Sequence, residues 1–334
     1  MRTMLKSMVA GVALALASTG ALGQAPISIK FSHVVAPETP KGKGANRFKE
    51  LAEQYTNGRV KVEVYPNSQL YKDKEEVEAL QLGAVQMLAP SLAKFGPLGA
   101  KEFEVFDLPF ILPDKAALRR VTAGDLGKRL FKKLETKGIV GLAFWDNGFK
   151  VMSANKALRM PQDFQGLVMR VQSSKVLEAQ MRALGATPQV MAFSEVYQAL
   201  QTGVVNGTEN TPSNEYTQKH HEVQKYTTHS EHGYIGYAVI ANKKFWDGLP
   251  VGIRAQLEKA MADATAYAND IAQTDNDEAM VEMKKSGRTT VIELTPEQKT
   301  AWRKALEPVY TEMASRIGQD VIDEFQREAQ VATK

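Results

Sequence analysis

The chain has 334 residues, a formal net charge of +4 and no cysteine. Without cysteine it can have neither a disulfide framework nor a lipoprotein anchor, so its stability must come from a large core. Two of the positive charges, Arg2 and Lys6, lie in an N-terminal leader, and the others are mixed with acidic residues along the chain. This charge balance argues against a nucleic-acid-binding protein.

The leader has the pattern of a secretory signal peptide. A positive start is followed by an apolar run over residues 8–17 and by small residues over 21–25. We expect residues 1–25 to be this leader, with cleavage after Gly23 or Ala25 and an exported mature chain that is soluble or tethered by an uncleaved leader. The apolar run of about ten residues is too short to span a bilayer, which requires roughly 20. The remaining length, about 310 residues, usually splits into two lobes.

Strands and helices alternate in the first half of the chain. Residues 27–32 and 59–65 alternate apolar and polar side chains, which predicts strands. Between them, Thr39 and Pro40 predict the N-cap and first turn of a helix. Residues 73–82 predict a short helix, 85–89 a buried strand, and 116–137 two helices broken near Gly124. This order predicts a mostly parallel sheet that is covered on both faces.

The second half predicts a second lobe and a helical end. Strands are expected at 139–144 and 149–154, with the chain crossing between lobes at 145–148, and further strands at 168–171, 188–192 and 237–241. Residues 253–284 predict one long helix or two joined ones, 289–294 a strand, and Thr295 a capping box. We expect lobe I at 26–146 plus about 237–270, and lobe II at 147–236 plus part of the C-terminal helices. Residues 253–330 are expected to brace both lobes.

Signatures of catalysis and of bound cofactors are not found in the sequence. There is no G-x-S-x-G elbow, H-E-x-x-H motif or P-loop, and residues 42–47 lack the third glycine of a dinucleotide fingerprint. The histidines form no metal-ligand pattern with carboxylates. We therefore expect no cofactor, no metal and no enzymatic activity. The alternative is an exported hydrolase or lyase with Glu209 or Asp146 as its base.

Residues 166–174 suit the binding of a carboxylate. Val168, Met169 and Val171 predict a buried strand, Ser173 or Ser174 can cap the next helix, and Arg170 lies between them. Arginine has a planar fork of donors that matches a carboxylate, and a helix N-terminus adds positive partial charge. The alternative is that Arg170 forms a structural ion pair.

A second polar block covers residues 191–214. Ser194 is expected to cap a helix that ends at Gly203, after which residues 204–210 return as a strand. Asn210 at the end of that strand can offer a donor and an acceptor to a ligand, or it can satisfy its own turn. Phe193 suits the core or a ligand lid, and Lys150 is by default a solvated lysine.

Together and in order, these blocks resemble the periplasmic solute-binding receptors of TRAP transporters, in particular the C4-dicarboxylate-binding DctP group. The resemblance covers nearly the whole mature chain. The motifs that carry it are Phe-Ser-His-Val at 31–34 with Thr-Pro-Lys-Gly at 39–42, Tyr-Pro-Asn-Ser-Gln-Leu at 65–70, Asp-Leu-Pro-Phe at 107–110, residues 166–171, and Phe-Ser-Glu-Val-Tyr at 193–197 through Glu-Asn at 209–210.

The resemblance implies an α/β fold of the periplasmic-binding-protein type. Two lobes joined by strands and a long helix would close over an organic acid in the cleft between them. The receptor would be a periplasmic monomer that delivers its ligand to a TRAP membrane permease driven by an ion gradient. We expect a C4-dicarboxylate such as succinate, malate or fumarate. The alternatives are another small organic acid, or a further role as co-sensor for a membrane histidine kinase.

The resemblance also implies which residues bind the ligand. Arg170 matches the arginine that clamps the carboxylate, Asn210 the asparagine that positions the ligand, and Phe193 the aromatic that covers it. Lys150, in the segment that begins at Asn147, lies where sialic acid receptors of the family carry a second arginine, so it is expected to meet a second carboxylate. In lobe I, the expected cleft residues are His33, Thr39, Lys41 and Ser91.

Overall fold

The computed structural model describes residues 25–330, where the chain forms two β-sheets and a helical C-terminal part. Residues 1–24, on which the signal-peptide prediction rests, lie outside the described range. The strands are β1 (Ile27–Ser32), β2 (Val60–Tyr65), β3 (Met87–Leu88), β4 (Ile139–Phe149), β5 (Val151–Ala154), β6 (Val168–Val171), β7 (Thr187–Val190), β8 (Gly207–Asn210), β9 (Tyr226–His229), β10 (Tyr234–Asn242) and β11 (Thr290–Glu293).

Helices cover the sheets and form the C-terminal part of the chain. The α-helices are α1 (Pro40–Tyr55), α2 (Glu76–Gln81), α3 (Lys115–Ala123), α4 (Asp125–Glu135), α5 (Lys175–Ala183), α6 (Val196–Thr202), α7 (Pro212–Thr217), α8 (His220–Val223), α9 (Lys243–Asp247), α10 (Val251–Ser286), α11 (Pro296–Leu306), α12 (Pro308–Ile317) and α13 (Gln319–Gln330). Short 3₁₀ turns are formed by Leu92–Lys94, Lys101–Asp107, Pro161–Phe164 and Phe193–Glu195. Within residues 25–330, no helix has the length and apolarity that a membrane crossing requires.

The two sheets define two lobes. Lobe I is built on the sheet with strand order β2-β1-β3-β10-β4, and lobe II on the sheet with order β11-β9-β5-β8-β6-β7. The prediction of a mostly parallel sheet is confirmed, because in each sheet all strands except one run in the same direction. In lobe I, β10 returns from lobe II and runs antiparallel to β3 and β4. In lobe II, β5 arrives from lobe I and runs antiparallel to β8 and β9.

The crossing between the lobes differs from the prediction. Residues 145–148 were expected to separate two strands because Asp146, Asn147 and Gly148 are typical turn residues. Instead β4 continues to Phe149, since its ladder with β10 pairs Trp145 with Tyr237 and continues through this segment with a β-bulge. The chain enters lobe II directly afterwards. The turn propensity of these residues was overridden by pairing with the partner strand.

Helix α10 is a single continuous helix that contacts both lobes. Its 36 residues correspond to a length of about 54 Å. It packs on α1 and β4 of lobe I and on α7 and β11 of lobe II. Small residues allow a close approach to α1, where a Cβ atom added at Gly44 would lie only 2.9 Å from the Cβ of Ala268. Of the two alternatives predicted for residues 253–284, one long helix or two joined ones, the structure has the single helix.

The predicted helix caps are confirmed with one exception. Thr39 accepts a hydrogen bond from the backbone of α1, Ser174 caps α5, and Thr295 forms a capping box with Gln298. The prediction for Ser194 is wrong, because it lies inside a 3₁₀ turn and α6 begins at Val196 without a side-chain cap. The predicted strand at 85–89 is reduced to β3.

The last three helices pack on both lobes. Helix α12 packs on α5 of lobe II, and α13 packs on α3 of lobe I. Trp302 of α11 is fully buried and packs edge-to-face on Phe164. Its indole nitrogen donates to the carbonyl of Arg159 at 3.0 Å. The C-terminal part thus belongs to the hydrophobic core and ties the lobes together at their far ends.

Candidate functional site

A small cavity lies between the two lobes. Its empty space, including the part that is open to solvent, is about 330 Å³. Both lobes contribute side chains, which suits a solute that is held between them. The lining residues are Val34, Val35, Lys41, Asp73, Glu76, Ser91, Lys94, Arg170, Gln172, Phe193, Asn210, Asn214 and Tyr237.

Arg170 is fixed on β6 with part of its guanidinium free. The side chain is buried, and its Nε and Nη2 donate to the carbonyl oxygen of Met191 at 3.1 and 2.9 Å. Nη1 is buried and has no hydrogen-bond partner among the described residues. The guanidinium carbon lies 5.7 Å from the ring centre of Phe193. A buried donor without a partner is costly, so this geometry favours an acceptor supplied from outside the chain.

An acidic residue from lobe I approaches Arg170. Asp73 Oδ2 lies 2.6 Å from Lys94 Nζ and 3.9 Å from Arg170 Nη2. Its other oxygen accepts a hydrogen bond from the backbone nitrogen of Phe193 at 3.1 Å. Burial alone would raise the pKa of Asp73, but the attraction of Lys94 and Arg170 holds it below its usual value. Asp73 and Lys94 thus form a buried, charged pair that positions Arg170 without consuming its free nitrogen.

A second cation, Lys41, lies on the lobe I side. Its Nζ donates to the carbonyl of Ala89 at 3.0 Å and lies 3.8 Å above the ring centre of Tyr237. Burial lowers the pKa of Lys41 to about 8, although the negative charges of Glu76 and Asp73 oppose this. Burial also raises the pKa of Glu76 to about 7, against the attraction of Lys41. The two groups therefore depend on each other for their charge.

Amide groups from lobe II complete the wall. Asn210, at the end of β8, accepts hydrogen bonds through Oδ1 from the backbone of Thr211 and from Asn214 Nδ2, both at 2.9 Å. Asn214 also donates to the hydroxyl of Tyr237 at 3.2 Å, while its own Oδ1 is buried without a partner in the described chain. With its oxygen engaged, Asn210 presents its amide nitrogen as a donor. The amide nitrogen of Asn210 therefore suits an anion, whereas the free oxygen of Asn214 suits a donor.

The lobes are in contact around the cavity. Ser91 of lobe I donates to Gln172 of lobe II at 2.6 Å. At the rim, Lys72 pairs with Glu195 at 2.7 Å, but both side chains are about half exposed. Val35 packs into a cluster with apolar residues of α6 beside Phe193. Polar and apolar contacts therefore enclose the cavity together.

Five of the predicted site residues meet at this cavity: Arg170, Asn210, Phe193, Lys41 and Ser91. Lys150 does not line it and is not solvated. It is buried and pairs with Glu209 at 2.7 Å, while Glu209 also bonds His232 at 2.9 Å. The attraction of Lys150 outweighs burial and lowers the pKa of Glu209 to about 2. Lys150 thus meets a carboxylate of the protein and not one of a ligand. Glu209 is next to Asn210 on β8, and because neighbouring side chains of a strand point to opposite faces, it points away from the cavity.

The other three predicted residues lie within the protein, away from the cavity. Asn147 donates to Thr211 at 2.6 Å, and Thr39 caps α1. His33 is completely buried, and neither ring nitrogen has a partner in the described chain. Burial, with the charge of Lys41, lowers the pKa of His33 to about 3, so the ring is neutral. None of the three lines the cavity.

Several lining residues were missed by the sequence analysis. Asp73 and Glu76 resemble the charged first turn of a surface helix, and Lys94 stands alone in an apolar stretch. That isolated lysine was the available signal, because an apolar run rarely carries an unpaired charge. Gln172 directly follows a predicted strand and Tyr237 begins another, but spacing along the chain gave no indication that both line one cavity.

The charge of the cavity suits the binding of an anion. It holds three cationic side chains against two acidic ones. Across residues 25–330 there is no cluster of three or more histidines and carboxylates that could hold a metal. The alternative bases lie elsewhere: Glu209 is in its ion pair, and Asp146 accepts a hydrogen bond from Tyr234 and lies 3.4 Å from Lys115.

Comparisons with known proteins by sequence and by structure point to one family. The DctP family, described as bacterial extracellular solute-binding protein family 7, matches residues 31–317. The C4-dicarboxylate-binding periplasmic protein DctP of Rhodobacter capsulatus is 68% identical over 96% of both chains. A TRAP solute-binding protein from Shewanella oneidensis with bound succinate has a TM-score of 0.89 and 42% identity, covering 92% of this chain and all of that one. A Pseudomonas aeruginosa relative with bound L-malate has a TM-score of 0.84 and 45% identity, covering 86% of this chain and all of that one.

Proposed function

We propose that this chain, which belongs to the DctP family of bacterial extracellular solute-binding proteins, binds a C4-dicarboxylate in the cavity between its lobes. The family consists of solute-binding proteins for transport, so the chain is a periplasmic receptor and not a catalyst. Succinate, malate and fumarate are the ligands that we propose. The observation that carries the proposal is the pair of cations on opposite lobes, Arg170 and Lys41, in one enclosed cavity.

The geometry supports a ligand with a carboxylate at each end. One carboxylate would accept from Arg170 Nη1 and from the amide of Asn210 on lobe II. The other would lie toward Lys41, the second cation, on lobe I. The valines and Phe193 would cover the short carbon chain between them.

Closure of the lobes has a physical cause in this arrangement. A ligand can shift the equilibrium toward the closed form only by the difference between its interactions with the two forms. A dicarboxylate that contacts Arg170 and Lys41 makes both interactions only when the lobes are together. We further propose that the receptor acts as a monomer and delivers its ligand to a TRAP membrane permease.

A ligand panel tests the assignment. Protein freed of carried-over ligand by unfolding and refolding is titrated calorimetrically with succinate, L-malate and fumarate. Butyrate serves as the matched control, because it keeps four carbons and lacks one carboxylate. We expect the dicarboxylates to bind and to raise the melting temperature, which binding to the folded state alone requires. Equal affinity for butyrate, or no binding of any dicarboxylate, would refute the proposal.

Delivery and assembly are tested separately. Proteoliposomes that contain a TRAP permease and an ion gradient should accumulate labelled succinate only when the receptor is present outside. Uptake that is independent of the receptor would contradict its role in delivery. Light scattering after gel filtration should give the mass of one chain with and without ligand.

A further inference from the structure

When both acidic side chains of the cavity are ionised, its net positive charge is too small to balance the two negative charges of a dicarboxylate. Asp73 and Lys94 compensate each other at 2.6 Å. The charges that remain are the positive ones of Arg170 and Lys41 and the negative one of Glu76. With Glu76 ionised, a doubly charged ligand would leave a negative charge buried between the lobes. With Glu76 protonated, the ligand and the two cations would balance.

Glu76 is placed to change its protonation state. It lies in the first turn of α2, and its side chain is buried at the cavity wall. Its Oε2 has no hydrogen-bond partner in the described chain. Lys41 on α1 is its attractive neighbour, but the ammonium is directed to the carbonyl of Ala89 and the ring of Tyr237. An unpaired buried carboxylate is costly, whereas a protonated one can donate a hydrogen bond.

The groups that face Glu76 come from several elements. They are Lys41 from α1, Asp73 from the segment before α2, Lys94 from the 3₁₀ turn at Leu92–Lys94, and the hydroxyl of Tyr237 from β10. Two acidic residues on the lobe II side also act on Arg170. Glu209 pairs with Lys150, whereas Glu215 lies 3.6 Å from a ring nitrogen of His220 and neither of its oxygens has a hydrogen-bond partner in the described chain; neither residue lines the cavity. Among these groups, Glu76 is the acid in the cavity without an ion-pair partner.

We propose that Glu76 takes up one proton from solvent when a dicarboxylate dianion binds, and that it then donates a hydrogen bond within the cavity. The inference rests on the proposed function and names the group that matches the cavity to a doubly charged ligand. Burial already holds the pKa of Glu76 at about 7. A second negative charge nearby raises it further, so the bound form carries the proton.

Coupled proton uptake has a measurable consequence for affinity. The carboxyl groups of the ligand are ionised throughout the range from pH 7 to 8, so they contribute little. Since the unliganded carboxyl titrates near pH 7, the Kd for succinate should rise about fivefold from pH 7 to pH 8. The Glu76→Gln variant carries no titrating group at this position, so the change in Kd that remains in the variant over this range measures the titration of Lys41, whose pKa is about 8.

Infrared difference spectroscopy identifies the group that takes the proton. Succinate labelled with ¹³C is added at pH 8, so that the ligand's own carboxylate bands are shifted away. Wild type should gain the carbonyl stretch of a protonated carboxyl, and Glu76→Gln should not. Glu75→Gln is the matched control, because Glu75 is adjacent and exposed, and it should behave as wild type. Calorimetry in buffers of different ionisation enthalpy counts the protons taken up.

The outcomes separate the inference from the function on which it rests. Succinate binding without the carboxyl band in wild type, or with a band that persists in Glu76→Gln, overturns the inference and leaves the receptor function intact. Proton uptake without a carboxyl band would place the proton on an amine such as Lys41 and would also overturn it. Failure of every dicarboxylate to bind would overturn the function and the inference together. If the variant fails to fold, the wild-type spectrum still tests the inference, because a missing carboxyl band alone would overturn it.

Discussion

Replacing Arg170 by lysine tests the anchor of the cavity while keeping its charge. Lysine keeps the charge near Asp73, which lies 3.9 Å from the guanidinium. What it loses is geometry, because a single ammonium cannot contact both the carbonyl of Met191 and a carboxylate as the planar fork does. The free Nη1 would have no equivalent.

The size of the effect follows from the bonds that are lost. Nε and Nη2 are engaged with Met191, so the ligand depends on Nη1 and on the second hydrogen of Nη2. Removal of one charge-assisted hydrogen bond costs about 1.5–3 kcal/mol. This corresponds to a Kd for succinate that is about 10- to 150-fold weaker at 25 °C.

Isothermal titration with succinate measures this difference directly. Arg182→Lys is the matched control, because Arg182 lies on the same lobe with its side chain about half exposed and paired with Glu312. The control should bind as wild type does, and both variants should unfold near the wild-type temperature without ligand. If Arg170→Lys bound succinate within threefold of wild type, the guanidinium would not be the anchor, and the reasoning from its free nitrogen would be wrong.

Three further predictions concern stability. Glu209→Gln leaves Lys150 buried without its partner at 2.7 Å, so denaturant unfolding should show a loss of about 3–5 kcal/mol. Burial raises the pKa of Asp107 to about 7. The unfolded chain therefore loses this proton at lower pH than the folded one, and the free energy of unfolding of wild type should fall as pH rises from about 4 to 7. The stability of Asp107→Asn relative to wild type should increase over that window and stay constant at higher pH. Thr295→Ala removes a capping box and should cost about 1 kcal/mol, measured by the same unfolding curves.

Local signals in the sequence were sufficient for most elements. The alternation of β1 and β2, the cap at Thr39 and the capping box at Thr295 depend on neighbouring residues, so they are visible in one dimension. The continuation of β4 through Asp146 and Gly148 could not be predicted in this way. It depends on β10, whose residues lie about ninety positions later in the chain.

The site was predictable where a residue's neighbours reveal its surroundings. Arg170 sits in an apolar strand before a cap, and that pattern correctly placed it in a buried position. For Lys150, the neighbouring residues in the sequence did not reveal its surroundings. A lysine after a strand is usually solvated, and only the fold brings Glu209 and His232 against it. The pair of Asp73 and Lys94 likewise joins two segments whose charges are indistinguishable from surface charges in the sequence.

The division of charges between the lobes explains why an arginine alone would make an incomplete receptor. Arg170 and Asn210 belong to lobe II, so a ligand held by them alone would bind the open and the closed forms equally and would not bring the lobes together. The contacts that already cross between the lobes are neutral hydrogen bonds, such as Ser91 with Gln172 at about 1 kcal/mol, and the charged contacts of Asp73 and Lys72. All of them form without a ligand, so they do not explain closure on ligand binding. Closure on ligand binding must therefore come from the lobe I side, where Lys41 supplies the second positive charge. We therefore propose that Arg170, the residue that the sequence reveals most clearly, holds the ligand, and that contact of the same ligand with the buried Lys41 on the opposite lobe brings the lobes together.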